Sequence, residues 1–310
     1  MEEKLNLPIV DLSSSDRAST AKSIRQACVR YGFFYLVNHG VEDELIKKVF
    51  DESKKFFSLP MHEKTKLTRK EHRGYTPLYA ETLDTSTKSM GDLKESFYIG
   101  PIEDLPQSVL NQWPSEEFLP TWRPTMTSYY NKVISAAKRL LSLIALALNL
   151  DETYFEKIGA SHKPTAFLRL LHYPGEPAAL HEETYGASAH SDYGMITLLA
   201  TEGVRGLQIC REKDTKPQVW EDVYHVNGAF IVNIGDMMER WTNCLFRSTL
   251  HRVILTEQER YSVAFFCDPN EDCIVECLDS CCSEISPPRF PPVRSGDYLQ
   301  ERFRATFLKA

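Results

Sequence analysis

Ala189-His190-Ser191-Asp192-Tyr193-Gly194 is the stretch around which the rest of the chain can be interpreted. Its histidine and its aspartate are two positions apart, so on an extended strand both side chains point to one face. A second imidazole is available from His251, in the distant segment Thr249-Leu250-His251-Arg252-Val253. Two histidines and one carboxylate form a ligand set that holds Fe(II) and leaves coordination positions open. We therefore predict that His190, Asp192 and His251 bind a metal ion.

A second functional pair follows nine positions after the second histidine. Arg260 and Ser262 would again share one face of a strand. A guanidinium fork beside a hydroxyl is a seat for a carboxylate group. A lone His-x-Asp pair occurs by chance in many chains, but the ordered set of His-x-Asp, a distant His and Arg-x-Ser is a specific signal. The chain thus combines a predicted metal site with a predicted anion site.

This combination resembles the 2-oxoglutarate- and Fe(II)-dependent dioxygenases, specifically their soluble, isopenicillin-N-synthase-like branch that is common in plants. The resemblance extends over nearly the whole chain through short motifs: Pro8–Leu12, Tyr31–Phe34, Val37–Gly40, Gly235-Asp236, Thr242-Asn243 and Ser248. It implies Fe(II) at the three predicted ligands, 2-oxoglutarate as cosubstrate and O2 at an open metal position. It also implies an enzyme that hydroxylates or otherwise oxidises a small molecule and releases succinate and CO2.

The resemblance assigns three residues to the cosubstrate. Arg260 and Ser262 would hold the carboxylate of 2-oxoglutarate that is far from the metal, and Tyr173 matches a family tyrosine whose hydroxyl reaches the same carboxylate. The chain departs from much of the plant family at Leu171, where an asparagine is often found. Another group would then hold the carboxylate near the metal. Arg169 is our candidate, and its ordinary alternative is a salt-bridged strand residue.

Two other classes of function compete with an oxygenase. A zinc hydrolase could use the same three ligands, but it would not need an anchored dicarboxylate, so the Arg-x-Ser pair disfavours it. A catalytically silent small-molecule-binding protein would require a broken triad or a broken carboxylate anchor. Neither is broken in this sequence.

The substrate is not fixed by family membership. The segment Gly74–Thr82 looks similar to a loop of the bacterial ethylene-forming enzyme, a superfamily member that binds arginine. Glu81 aligns there with an acidic residue that contacts the guanidinium, and Tyr193 follows the aspartate ligand in both. These residues favour a guanidino or other basic amino acid. The alternatives are a solvated loop glutamate at position 81 and a small plant hormone or specialised metabolite as substrate.

The composition narrows the partners and the compartment. A net charge of −7 and a pI near 5.8 argue against a nucleic-acid surface. The N-terminus lacks the apolar run of a signal peptide, and no apolar stretch is long enough to span a membrane. We therefore expect a cytosolic monomer whose eight cysteines are free thiols. Zinc binding is the less favoured reading of four cysteines near the end of the chain: Cys273, Cys277, Cys281 and Cys282.

Periodicity predicts helices in the first half of the chain. A helix from about Asp16 to Tyr31 has Ser15 as a plausible N-cap and Gly32 as its stop. A long helix from about Thr121 to Leu150 carries an apolar stripe that would face inward and brace the catalytic sheet. A largely polar segment between them, from His62 to about Gly100, is predicted to be a long loop that ends in a strand.

After Lys163-Pro164 the pattern changes to short strands separated by turns. Many short strands at close spacing favour a jelly roll over a parallel sheet, which agrees with the double-stranded β-helix of the resembling family. A terminal helix from Asp297 to Leu308 would pack on this core. We predict a mainly β fold with flanking helices, in which an N-terminal helical and strand region (1–163) packs on a jelly-roll core (164–310) as one structural unit.

Overall fold

The computed structural model describes residues 5–83, 91–102, 107–175 and 184–307. The strands within these ranges are β1 (Ile9–Asp11), β2 (Phe33–Val37), β3 (Gly74–Thr76), β4 (Glu95–Ile99), β5 (Thr165–Tyr173), β6 (Tyr185–His190), β7 (Ile196–Thr201), β8 (Leu207–Cys210), β9 (Glu221–Asp222), β10 (Phe230–Ile234), β11 (Leu250–Ile254), β12 (Arg260–Asp268), β13 (Ile274–Val275) and β14 (Val293–Arg294). The helices are α1 (Arg17–Arg30), α2 (Asp43–Phe57), α3 (Met61–Thr65), α4 (Trp122–Ala147), α5 (Tyr154–Lys157), α6 (Asp236–Trp241) and α7 (Ser295–Phe307).

Two sheets form the core around the site. The larger sheet has the strand order β1-β2-β10-β7-β12-β5-β4-β3, and the smaller has the order β6-β11-β8-β9. The two sheets share one apolar cluster, to which the larger contributes Phe33 and Tyr35 and the smaller contributes Ile209 and Val253. All the strand pairings except that of β1 with β2 are antiparallel. Two facing antiparallel sheets are the architecture that a jelly roll requires.

Helices cover the other face of the larger sheet. The long helix α4 packs against α1 and α2 and reaches β7 and β12. The stripe predicted to face inward does so: Ala137, Leu141, Ile144 and Leu148 are buried, and Ile134 packs against the same cluster while half-buried. Because α4 lies behind β12, which carries Arg260 and Ser262, it supports the larger sheet from the side opposite to these two residues.

The ends of α1 show which local signals were correct. Asp16, and not the predicted Ser15, caps the helix, because its carboxylate accepts the Ser19 N–H at 3.0 Å. Gly32 ends the helix as predicted, with φ of +67°. A Cβ at this position would lie 2.2 Å from the carbonyl oxygen of Arg247. The turn into β2 therefore requires glycine both for its conformation and for space.

The two predicted regions, 1–163 and 164–310, share the larger sheet. Its strands β1 to β4 come from the first region, and β2 and β4 pair directly with β10 and β5. The segment predicted as a long loop contains α3 and β3, and β3 extends the sheet beyond β4. Glu81 lies in the connection between β3 and β4 and contacts Arg169 on β5.

Three further sequence predictions concern the terminal helix, the cysteines and membrane-spanning segments. The terminal helix is α7, which begins two residues before the predicted start, and Leu308 lies outside the described residues. All eight cysteines are free thiols. No helix among the described residues combines the length and the apolar character that crossing a membrane requires.

Candidate active site

The three predicted metal ligands lie together at the end of the smaller sheet where β6 ends and β11 begins. His190 ends β6 and is paired in register with His251 on β11, while Asp192 follows in the next turn. The Nε2 atoms of His190 and His251 lie 3.8 Å and 3.6 Å from one oxygen, Oδ1, of Asp192. One ligand atom from each residue falls within 4.8 Å of the others. Across the described ranges, this is the one group of histidine, cysteine and acidic side chains close enough to share a metal ion.

Backbone carbonyl groups orient both imidazoles. Nδ1 of His190 lies 2.7 Å from the carbonyl oxygen of Ser188, and Nδ1 of His251 lies 3.2 Å from that of Thr249. A carbonyl oxygen can only accept, so each Nδ1 carries the hydrogen and each Nε2 presents a lone pair. This is the arrangement found around metal-binding histidines, where the second nitrogen donates to a neighbouring oxygen.

Asp192 is prepared as an ionised ligand. Its Oδ2 accepts hydrogen bonds from Thr197 Oγ1 at 2.6 Å and from Asn233 Nδ2 at 2.7 Å, so that Oδ1 faces the imidazoles. Burial by itself would raise the pKa of this carboxyl, but the two histidines and the two hydrogen bonds outweigh burial and lower it. Burial is also the main reason why the pKa of His190 falls to about 4. Both shifts favour the protonation states that a divalent cation requires.

Arg260 is a buried cation that pairs with no carboxylate of the described residues. Only 3% of the residue is exposed, and its Nη1 donates to Ser262 Oγ at 3.2 Å. Its guanidinium lies over the ring of Tyr173, with Cζ 4.9 Å from the ring centroid. Nε has no hydrogen-bond partner, and no carboxylate of the described residues perturbs this group. A buried guanidinium with unused donors fits the far carboxylate of a keto acid.

One cavity joins this guanidinium to the three metal ligands. It has a volume of about 60 Å³. Arg260, Ser262 and Tyr173 line one part, and the triad lines another. The donor set therefore fits the group that the sequence implied: a metal at the triad, and a dicarboxylate that reaches from the metal to Arg260.

Glu81 and Arg169 are brought together by the structure, but as partners of each other. Oε2 of Glu81 lies 2.5 Å from Arg169 Nη2 and 3.0 Å from Lys94 Nζ. Lys94 in turn contacts Oδ2 of Asp92 at 2.6 Å. All four residues are buried, and their formal charges cancel. We call these four residues the ionic cluster.

The ionic cluster keeps its charges despite burial. Burial opposes ionisation of Glu81, but Arg169 and Lys94 outweigh it and lower the pKa of Glu81. The same ion pairs raise the pKa of Lys94 and of Arg169 against the effect of burial. Glu81 is therefore an ionised carboxylate whose charge is already matched by two cations.

A hydrogen-bonded path connects the ionic cluster with the metal site. Oδ1 of Asp92 accepts from the backbone N–H of Ser188 at 3.0 Å and from its hydroxyl at 2.5 Å. The carbonyl group of Ser188 is the one that orients His190. Sequence reasoning missed Asp92 and Lys94, because their roles depend on pairings with strands distant in the sequence.

Comparison with known proteins identifies the family. Residues 7–116 match the model of a non-haem dioxygenase N-terminal region, described for morphine synthesis, and residues 164–269 match the 2OG-Fe(II) oxygenase superfamily. Azadirone synthase LFS of Melia azedarach is 42% identical over 309 residues, which cover 96% of this chain and 92% of that protein. The chain belongs to the 2-oxoglutarate- and Fe(II)-dependent oxygenases.

Solved structures support the assignment of this chain to the oxygenase family. A full-length Neurospora crassa protein in complex with alpha-KG superposes with a TM-score of 0.87 at 28% identity, over 98% of both chains. JOX2 in complex with 2OG, Fe and JA superposes with a TM-score of 0.82 at 31% identity, over 97% of this chain and 85% of that chain. The predicted jelly-roll fold, the enzyme class, and the use of Fe(II), 2-oxoglutarate and O2 are confirmed.

A second small cavity of the oxygenase borders His190 and Asp192 of the triad. This inner cavity, also of about 60 Å³, touches His190, Asp192, Glu81 and Arg169. The rest of its wall is mostly aromatic and aliphatic: Leu83, Tyr98, Phe167, Tyr193, Phe266, Leu299 and Phe303, with Ser191, Asp268 and Thr306. The predicted substrate residues Glu81 and Tyr193, and Arg169 as the candidate for the near carboxylate, thus all border one space beside the metal site.

Tyr193 has its hydroxyl group engaged by the terminal helix. The hydroxyl lies 2.7 Å from Oγ1 of Thr306 on α7, and Arg302 lies over the ring with Cζ 4.7 Å from the centroid. Tyr193 therefore presents its ring, and not a free hydroxyl, to the inner cavity. It also fixes α7 over that cavity.

A larger outer groove adjoins the inner cavity of the oxygenase. Its volume is about 720 Å³, which is in the range of sites for drug-sized ligands. Phe167, Leu299 and Phe303 line both spaces. Phe303 contacts three other rings. Its ring stacks on His72, with the centroids 4.4 Å apart, and packs edge to face against Phe167 and Tyr193. This ring stands between the groove and the metal site.

Proposed function

We propose that this oxygenase hydroxylates, or otherwise oxidises, a predominantly apolar small molecule that enters the inner cavity. The observation that carries the proposal is the wall of that cavity. Its aliphatic and aromatic groups are buried or half-buried, and the charged groups Glu81 and Arg169 pair with each other. An apolar substrate gains most from such a wall, because burial of apolar surface drives its binding.

The sizes of the two spaces support a substrate with an extended body. The inner cavity is too small for a whole drug-sized molecule, whereas the outer groove is large enough. A molecule in the groove would place one end past Phe303 and beside the triad. This reading matches the hypothesis of a specialised metabolite better than that of a single amino acid.

The residues divide the work of the reaction. His190, Asp192 and His251 would bind Fe(II), and Arg260, Ser262 and Tyr173 would bind the far carboxylate of 2-oxoglutarate. When bound, the metal with 2-oxoglutarate and O2 supplies the oxidising power, as the cosubstrate is converted to succinate and CO2. The surrounding chain fixes the geometry and keeps the site shielded from water, which is the usual contribution of a protein to cofactor chemistry.

Arg169 is held in place by the ionic cluster and also lines both small cavities. Its Nε has no hydrogen-bond partner in the part of the chain that the structure describes, although Nη2 is used by Glu81 and Ser96. It therefore still has donors for the near carboxylate of 2-oxoglutarate. The role assigned to Arg169 stays part of this proposal.

The basic amino acid hypothesis stays a prediction, with less support. It relied on Glu81 as an uncompensated carboxylate, but Glu81 already pairs with two buried cations. A guanidino substrate would have to displace one of them. The relatives also act on or bind different compounds, since one is named azadirone synthase and the Neurospora crassa protein has been solved with thymine.

Succinate release tests the proposed function directly. Purified protein with Fe(II), 2-oxoglutarate and ascorbate is assayed against terpenoids, steroids, phenolics and alkaloids, and separately against arginine and other guanidino compounds. We expect an apolar metabolite to stimulate succinate formation, with His251→Ala as the inactive control. Stimulation by basic amino acids alone, or no stimulation by any apolar compound, would refute the apolar assignment.

A further inference from the structure

Asp268 is a polar residue at the substrate end of β12. It lies on the face of this strand that also carries Arg260, Ser262 and Phe266, and its side chain borders the inner cavity. Only 4% of the residue is exposed. Neither its spacing nor its neighbours in the sequence mark it as functional, since an aspartate at the end of a strand before a proline is typical of a turn.

The carboxyl group of Asp268 has no partner among the described residues. No hydrogen bond or ion pair compensates its burial, which, together with the negative charge of Asp192, raises its pKa to about 8. One of its oxygens rests against the backbone of Gly194, where a Cβ would lie 1.6 Å from Oδ1. Glycine in the turn after Asp192 thus makes room for this carboxyl group beside the metal site.

The other carboxyl groups that border the inner cavity are all satisfied. Glu81 pairs with Arg169 and Lys94, and Asp192 accepts two hydrogen bonds and faces the metal position. A buried polar group without a partner is destabilising, so native structures contain few of them. A partner that is not part of the chain would remove this penalty, and the inner cavity is the space from which it can reach the carboxyl.

We propose that Asp268 binds a hydroxyl group of the substrate and thereby selects which end of the apolar body faces the metal. The proposal rests on the proposed function and names the substrate class more narrowly: an apolar molecule with a neutral oxygen group near the oxidised carbon. A hydroxyl group matches because it can both donate to a carboxyl oxygen and accept from a carboxylic acid. Asp268 is then a specificity-determining residue of the oxygenase reaction.

Three small probes of similar shape test this contact without knowledge of the natural substrate. Phenol, toluene and benzylamine are titrated into anaerobic protein loaded with Fe(II) and 2-oxoglutarate, and the thermal unfolding midpoint is followed as a measure of binding. We expect the half-saturation concentration of phenol to be about tenfold lower than that of toluene, since one buried hydrogen bond separates them. Asp268→Leu should remove the difference, and Asp268→Asn should keep part of it.

Each alternative result has a defined meaning. Equal affinities for phenol and toluene in the wild type, including no binding of either, overturn the proposal. Preference for benzylamine over phenol also overturns it and makes Asp268 the seat of a substrate cation. Asp214→Asn is the matched control, because Asp214 is exposed in the loop between β8 and β9, and it should leave all three titrations unchanged.

Stability provides a second measurement that does not depend on a ligand. If Asp268 serves binding, Asp268→Leu should unfold at the same temperature as the wild type or at a higher one, because an unsatisfied buried polar group is removed. A structural role would lower the midpoint by several degrees and refute the proposal. Success of the phenol test with no succinate release from any apolar metabolite would instead refute the proposed function alone.

Discussion

Replacing Glu81 by glutamine separates its two possible roles. In the structure its carboxylate lies between the cations Arg169 and Lys94, and only 4% of the residue is exposed. Glutamine keeps the shape and most of the hydrogen-bonding capacity but removes the charge. If Glu81 is the counter-ion of the ionic cluster, the protein should lose stability. If Glu81 were instead an unpaired seat for a substrate cation, stability should rise or stay the same.

The expected loss follows from the geometry of the ionic cluster. Removing one partner from a buried ion pair typically costs about 3–5 kcal/mol. Asp92 still lies 2.6 Å from Lys94 and compensates one of the two cations, so the lower end, about 3 kcal/mol, applies. For a chain of 310 residues, this corresponds to a fall of about 5 °C in the thermal unfolding midpoint.

The assay is thermal unfolding of metal-free protein followed by circular dichroism at several pH values. The pKa of Glu81 is lowered by folding, so its contribution is complete above its ordinary value of 4.5 and declines as the pH falls below that value. The gap between wild type and Glu81→Gln should therefore be widest near neutral pH and narrow in acid. Glu257→Gln is the control, since Glu257 is exposed. An unchanged midpoint for Glu81→Gln at neutral pH would refute the ionic cluster as a stabilising element.

Three further predictions concern the cosubstrate, the metal and the cavity wall. Arg260→Met should weaken 2-oxoglutarate binding by about 3 kcal/mol, roughly a hundredfold, and Arg260→Lys should retain only part of the wild-type affinity. Calorimetric titration of 2-oxoglutarate into Mn(II)-loaded protein measures the affinity of both variants, and affinities equal to that of the wild type would place the anchor elsewhere. His251→Ala should abolish substrate-dependent succinate release while the metal-free protein keeps its unfolding midpoint within about 2 °C, and activity like that of the wild type would remove His251 from the triad. Phe303→Ala should raise the half-saturation concentration of an apolar substrate by about tenfold, because an aromatic contact is lost, and should leave 2-oxoglutarate affinity unchanged. An unchanged half-saturation concentration together with a weakened 2-oxoglutarate affinity would place Phe303 outside the substrate path.

The shared strand faces of the His190–Asp192 and Arg260–Ser262 pairs could be predicted because their geometry is local. Two positions along a strand return a side chain to the same face, and this periodicity fixed the relation of His190 to Asp192 and of Arg260 to Ser262. The register that sets His251 opposite His190 is a long-range pairing. Only the resemblance to a known family could supply it before the structure was available.

The electrostatic state of Glu81 could not be predicted in the same way. Its partners depend on β4 pairing with β5, which sets Tyr98 opposite Arg169, and on Lys94, which directly precedes β4. Sequence reasoning judged Glu81 and Arg169 separately, one as a substrate residue and the other as a cosubstrate residue. The fold joins them, and the charge that each was expected to offer a ligand is largely used by the other.

In the proposed site, strand β12 positions both the cosubstrate and the substrate. Its alternate residues divide between two environments. One set packs into the helical core behind the sheet: Tyr261, Val263, Phe265 and Cys267. The other set faces the cavities in sequence order: Arg260, Ser262, Ala264, Phe266 and Asp268. A shift of one residue would exchange the two sets, so the apolar core that fixes the register of β12 also fixes the line from the cosubstrate anchor to Asp268. Variation in substrate can therefore arise at Phe266 and Asp268 without disturbing the anchor at the other end of the strand.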